Sequence, residues 1–158
     1  MLPTTQPPST VPHRILLATG EAFSLIELSG VVSWSEIATT LDEFFLHPNR
    51  LPNTLTLWDA RAVTGLRLSP GDVCPDAPCH ASATLAALAP ARAGGRAALV
   101  SRDVLLVSLA RVLPTLGPPT GREVRAFGGV EDAMAFLGRT ALPAGMEEVA
   151  SSGVRLEA

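Results

Sequence analysis

SGVVSWSEIATTLDEFFLHP (residues 29–48) and, past the loop PNRLPN (48–53), TLTLWDAR (54–61) together decide the fold. Ser33 followed three residues later by Glu36 has capping-box spacing, in which each side chain satisfies a backbone N–H at the other's position. Ile37, Leu41, Phe44 and Phe45 then recur at helical intervals, and Pro48 stops the run. Thr54 to Trp58 alternates and consists of strand formers, so a strand follows the helix. A helix between two strands calls for a crossover and a parallel sheet.

Working outward, Arg14–Ala18 and Phe23–Leu28 are short apolar segments around Thr19-Gly20-Glu21, which predicts a hairpin whose second strand ends at Gly30. Ser69-Pro70-Gly71-Asp72 resembles a helix start, with proline in the first turn. Pro75 and Pro78 break any such helix, and a fresh start at Asp76 would run through His80, Leu85 and Leu88 to the 90–95 turn. Arg96–Val100 is predicted as a buried strand, and Ser101 as the cap of a nearly all-apolar helix ending at Leu113. After the loop 114–121 come strand Glu123–Phe127 and helix Val130–Leu137. The order ββαβαβαβα is an α/β fold, mostly parallel, with the opening strand antiparallel at one side. Residues 13–139 form one domain in this reading, with a proline-rich leader over 1–12 and a loose tail over 140–158.

The 158 residues suit a single domain large enough to need neither disulfides nor a metal. Hydrophobic residues make up 47% and charged residues 17%, below the usual ~25%. All twelve basic residues are arginine, and lysine and tyrosine are absent, which removes P-loop, Schiff-base and lysine or tyrosine acid–base chemistry. A net charge of −3 and a pI of about 5.6 argue against nucleic-acid binding. The N-terminus MLPTTQPPSTVP lacks signal-peptide regions, and the apolar run 104–110 is too short to span a membrane. The expectation is a cytoplasmic protein without a membrane span. Its low charge leaves room for a self-association surface, with the apolar helix after Arg102 the candidate.

Taken in order, TLTLWDAR (54–61), GRAALV (95–100) and VRAFGGVEDAMAFL (124–137) resemble the SpoIIAA-like, or STAS-like, family of small bacterial proteins. That family carries the sulfate transporter and anti-sigma-factor antagonist fold, and the resemblance spans about residues 13–139. It implies a βα superhelix that binds partners or ligands and does not turn over substrates. In the anti-sigma antagonists a serine in a D-S-S-G motif, at the start of a helix, is phosphorylated. Here the nearest stretch is Arg67-Leu68-Ser69-Pro70, so only Ser69 corresponds as a phosphoacceptor, and the aspartate, first serine and glycine are missing. Serving simply as an N-cap is the alternative role for Ser69. The wider superfamily includes lipid carriers, which suggests an apolar ligand by analogy.

Four residues make the candidate ligand site. Asp59 and Arg61 are predicted to leave the C-terminal end of a central strand, where open α/β sheets place ligands. Asp59 would accept from a hydroxyl and Arg61 would fork onto a carboxylate or phosphate, unless the two only pin the following loop. Ser101 and Arg102 occupy the corresponding end of the next strand, where helix N–H groups and Arg102 could hold an anion. Cys74 and Cys79, in CPDAPCH, are plainest as cysteines of a proline-stiffened loop. A redox pair is the chemical alternative, with Cys79 near a helix start and Cys74 resolving it. A metal would use Cys74, Cys79, His80 and Asp76, but zinc spacing with a second distant pair is missing, so neither metal nor cofactor is expected. No nucleophilic triad emerges from His13, His47 and His80.

The reading is a non-catalytic STAS-like module acting by protein–protein contact, most simply as a homo-oligomer. The alternative is a carrier or sensor of a small apolar or amphipathic ligand, and behind it a thiol redox sensor through Cys74 and Cys79. An enzyme would need a pocket joining Asp59, Arg61 or Cys79 to a general base.

Overall fold

The computed structural model describes residues 13–73, 80–115 and 120–151. Strands β1 (His13–Ala18) and β2 (Phe23–Ser33) form the predicted antiparallel hairpin, from His13 opposite Leu28 to Leu17 opposite Ser24. β2 does not stop at Gly30. That glycine takes φ +73°, and the register shifts just after it, so the residue makes an irregularity and the strand continues to Ser33.

Helix α1 (Trp34–Phe45) begins at the very next residue. Ser33 closes the predicted capping box: its Oγ accepts from the Glu36 N–H at 3.3 Å, and Glu36 Oε1 accepts from the Ser33 N–H at 2.9 Å. Trp34, Ile37, Leu41, Phe44 and Phe45 are all buried, as the spacing requires.

Strand β3 (Leu55–Arg67) is far longer than the predicted Thr54–Trp58. It runs parallel to β2 from Phe23 opposite Leu55 to Ser33 opposite Arg67, whereas β4 (Arg96–Val100) pairs with it only as far as Asp59. The long β2 therefore templates the whole of a ribbon whose second half pairs with no other described strand. Helix α2 (His80–Ala87) follows the predicted helix, and a short helix α3 (Ala89–Arg92) occupies the start of the predicted 90–95 turn, with Pro90 in its first turn, where proline is tolerated. After β4 come α4 (Val104–Val112), a 3₁₀ turn (Leu113–Thr115), β5 (Glu123–Phe127) and α5 (Val130–Phe136).

Three further predicted features differ from the structure. Ser69 starts no helix: Asp72 N–H donates to the Ser69 carbonyl at 3.0 Å with Pro70 and Gly71 (φ +91°) between them, the chemistry of a type II turn. Ser101 is not the cap of α4; Asp103 is, its Oδ1 accepting from the Leu106 N–H at 2.9 Å. The expected tail contains β6 (Met146–Ser151), antiparallel to β1. The leader 1–12 and the end of the tail, 152–158, lie outside the described residues.

The six-stranded sheet has the order β5-β4-β3-β2-β1-β6, with β2 to β5 parallel, so β1 is flanked on both sides and β6 forms the edge. This is the mostly parallel α/β arrangement expected. One face packs against α1, α2 and α4 through Ile15, Ile26, Leu28, Leu85, Leu106 and Leu109 among others. The other packs Phe23, Leu25, Leu57, Ala98 and Val100 against Ala133, Met134 and Leu137 at α5. Among the described residues no helix is long and apolar enough to cross a membrane.

A chain ending at Gly145 would strip β1 of its outer partner and bare a row of backbone N–H and C=O groups. Thermal denaturation is expected at a clearly lower midpoint than for the full chain. An unchanged midpoint would show that β6 adds nothing to the sheet.

Candidate functional site

Asp59 and Arg61 lie within β3 and not beyond its end, because β2 carries the pairing on past them. Opposite them the register advances two residues on β2 for three on β3, from Glu27–Asp59 to Ser29–Ala62, which is a bulge. The bulge lets Arg61 fold back. Its Nε and Nη2 donate to the two Asp59 oxygens at 2.9 and 2.8 Å, and its backbone N–H donates to Oδ1 at 3.2 Å. The Arg61 hydrogen bonds hold the Asp59 carboxyl below its ordinary range, and Asp59 in turn raises Arg61. Both charges are thus spent on each other. Next to them Arg14 bridges β2 and β6, donating to Glu27 at 2.5 Å and to Glu148 at 3.0 Å. The result is a shallow charged depression on the sheet face that α5 leaves uncovered, bounded by Arg14, Glu27, Asp59 and Arg61.

Arg61 also borders a second depression, with Arg102, Asp103 and the Gly128-Gly129 turn. Arg61 therefore borders both depressions, with Asp59 in the first and Arg102 in the second. The fourth predicted ligand residue, Ser101, is buried, and its Oγ accepts from the Asp103 N–H at 3.0 Å in the turn before α4. Ser69 is exposed, with its backbone N–H donating to Asp72 Oδ2 at 2.6 Å. A phosphate there would face the Asp72 carboxylate, which also holds His80 Nδ1 at 3.1 Å. Cys74, Asp76 and Cys79 lie outside the described residues, and no group of three or more His, Cys, Asp or Glu gathers among the described ones.

The better-formed site lies on the opposite side of the sheet. Between the sheet and the helices is a partly enclosed cavity of about 110 Å³. Leu28, Trp58, Ala97 and Leu99 form its floor, Ile37, Leu41 and Phe45 of α1 one wall, and Leu106, Leu109 and Ala110 of α4 another. Only Arg92 and Arg122 interrupt this apolar lining with charge. Arg122 sits just before β5, where its Nη1 donates to the Gly94 carbonyl at 3.2 Å and its Nη2 to Thr56 Oγ1 at 3.0 Å. Its guanidinium also stacks over Phe45, 5.3 Å from the ring centre. Gly95, at φ +80°, makes this seat possible: a Cβ there would lie 2.5 Å from the Thr54 carbonyl and 3.0 Å from Arg122 Nη1. Burial, and then the fields of Arg50 and Arg92, push Arg122 down to about 10.

None of these arginines was among the predicted site residues. Each precedes or follows a Pro- or Gly-rich turn, and nothing in the spacing of positions 50, 92 and 122 indicates that they converge.

No protein-family model and no curated protein matches the chain. Among solved structures, an uncharacterized protein from the DUF3478 family with a SpoIIAA-like fold, from Shewanella loihica PV-4, is similar over 82% of this chain and 98% of its own. The two are 20% identical, with a TM-score of 0.46. That fold name is the one implied by the sequence resemblance.

The lowered Asp59 carboxyl makes a signed prediction. A group depressed on folding stabilises above its unfolded pKa and loses that contribution as pH falls through the folded value. Asp59→Asn is expected to cost under about 1 kcal/mol at pH 7, since Arg61 is largely solvated. The difference from the parent should vanish once pH drops below the folded Asp59 pKa, as read by urea denaturation at a series of pH values. A difference that persists in acid would mean the pair contributes through packing and not charge.

Proposed function

We propose that the chain is a non-catalytic STAS-like module, cytoplasmic as its sequence suggests, that holds a small apolar or amphipathic ligand between its sheet and its α1–α2–α4 layer. The cavity carries this reading. Close-packed interiors leave few voids larger than a water molecule, and ligand sites are apolar hollows with a small number of placed polar groups. A hollow walled by α1, α2 and α4 and by strands β2 to β5, with two guanidiniums in its lining, fits that description. The non-catalytic part rests on the charged residues of the open face: Asp59 and Arg61 neutralise each other and leave no poised acid or base there.

Titration with xenon, which is small enough for a cavity of about 110 Å³, followed by amide NMR shifts, tests the cavity. Saturable shifts are expected around Leu41, Phe45 and Leu106, and Ala97→Leu, which fills the floor, should abolish them. Shifts scattered over the surface, or unaffected by Ala97→Leu, would overturn the reading.

Protein contact is the second reading, favoured by Val104 and Leu105 at the start of α4, which are 76% and 60% exposed. The partner in this reading is a second copy of the chain. Sedimentation should show a dimer that Leu105→Glu converts to monomer, and a parent that stays monomeric at high concentration would end it.

A further inference from the structure

Arg50, Arg92 and Arg122 come from three separate stretches of chain, before β3, at the end of α3 and before β5. The 91–94 segment ties them together. Arg50 Nη2 donates to the Ala91 carbonyl at 2.5 Å, and Arg122 Nη1 donates to the Gly94 carbonyl. Arg92 is itself only 5% exposed, with Nη1 donating to the Leu85 carbonyl at 3.1 Å. Arg50 lies over the rings of Phe44 and Phe45.

Every one of these partners is neutral. Among the described residues, Arg14, Arg61, Arg96 and Arg139 each pair with a carboxylate, whereas no ion pair includes Arg50, Arg92 or Arg122. Charges taken out of water are usually paired, whereas the buried Arg92 and the half-buried Arg50 and Arg122 are not. Guanidiniums drawn out of water without an anion are costly to the fold, and like charges brought together add to that cost. Neutral acceptors and aromatic faces recover part of it. A carboxylate would recover more, through short charge-assisted bonds in a setting of low dielectric.

Two of the three arginines line the apolar cavity. Resting on the apolar-ligand reading above, we propose that its ligand is a small apolar carboxylate, a short-chain acid, with its hydrocarbon among α1, α4 and the sheet and its carboxylate on Arg92 and Arg122. Arg50 strengthens the local positive field from behind. The volume limits the ligand: about 110 Å³ is less than the roughly 150 Å³ of an engineered apolar cavity that accepts benzene. The buried body is therefore a short chain, and a ring or a longer chain would protrude through the cavity mouth.

Calorimetric titration of the full chain at neutral pH with hexanoate and with hexan-1-ol separates the two halves of the site. Hexanoate is expected to bind at least tenfold more tightly than the alcohol. Arg92→Gln should weaken hexanoate at least tenfold and leave hexan-1-ol within twofold. Should Arg92→Gln fail to fold, Arg50→Gln, on a less buried side chain, is expected to weaken hexanoate at least threefold with the alcohol unchanged. Equal binding of the two probes, or hexanoate binding indifferent to the folded variant, would overturn the anion assignment and leave the apolar site standing. Binding of neither probe would overturn both.

Discussion

Ser33 belongs to two elements at once. It is the last residue of β2 and the N-cap of α1, so the chain passes from strand to helix with no linker between them. The reciprocal bonds with Glu36 fix the direction in which the helix leaves the sheet. Ile37, Leu41 and Phe45 then fall on the sheet side, where they become one wall of the cavity. The same junction obliges β2 to remain extended through Ser33, and that extension templates the long β3 beside it. Fold, cavity wall and the unusual length of the central ribbon all depend on one capped junction.

The two faces of the sheet solve the problem of charge differently. On the face that α5 half covers, Glu148, Arg14 and Glu27 bridge three neighbouring strands, and Asp59 and Arg61 close on each other. Such exposed pairs contribute little energy, but they keep an open sheet surface polar. On the cavity face the arginines have only carbonyls, a hydroxyl and aromatic rings around them. The absence of lysine matters here. A guanidinium is planar and weakly hydrated, so it can stack on Phe45 while donating sideways to Thr56 and Gly94, which a compact ammonium could not reproduce.

Local signals in the chain made α1, β4 and β5 legible, because each rests on a cap, an apolar run or a turn that acts within a few residues. The second half of β3 was not legible. Ala62 to Arg67 carries little alternation, and its extended form comes from the neighbouring β2, a long-range cause. β6 was hidden for a related reason, since MEEVAS is a polar edge strand that exists by pairing with β1. Pro70-Gly71 suits a helix entry and a type II turn alike, and the chain uses it as the turn. For the site, Arg61 links a depression holding Asp59 to one holding Arg102, yet the cluster of Arg50, Arg92 and Arg122 is visible only once three turns are folded side by side.

Native mass spectrometry of the freshly purified chain, and again after incubation with excess hexanoate, tests the proposed occupancy of the hollow between sheet and helices most directly. An adduct of defined mass is expected, either carried through purification or formed on incubation, that disappears under denaturing conditions. A clean unliganded mass before and after incubation, in repeated preparations, would contradict it.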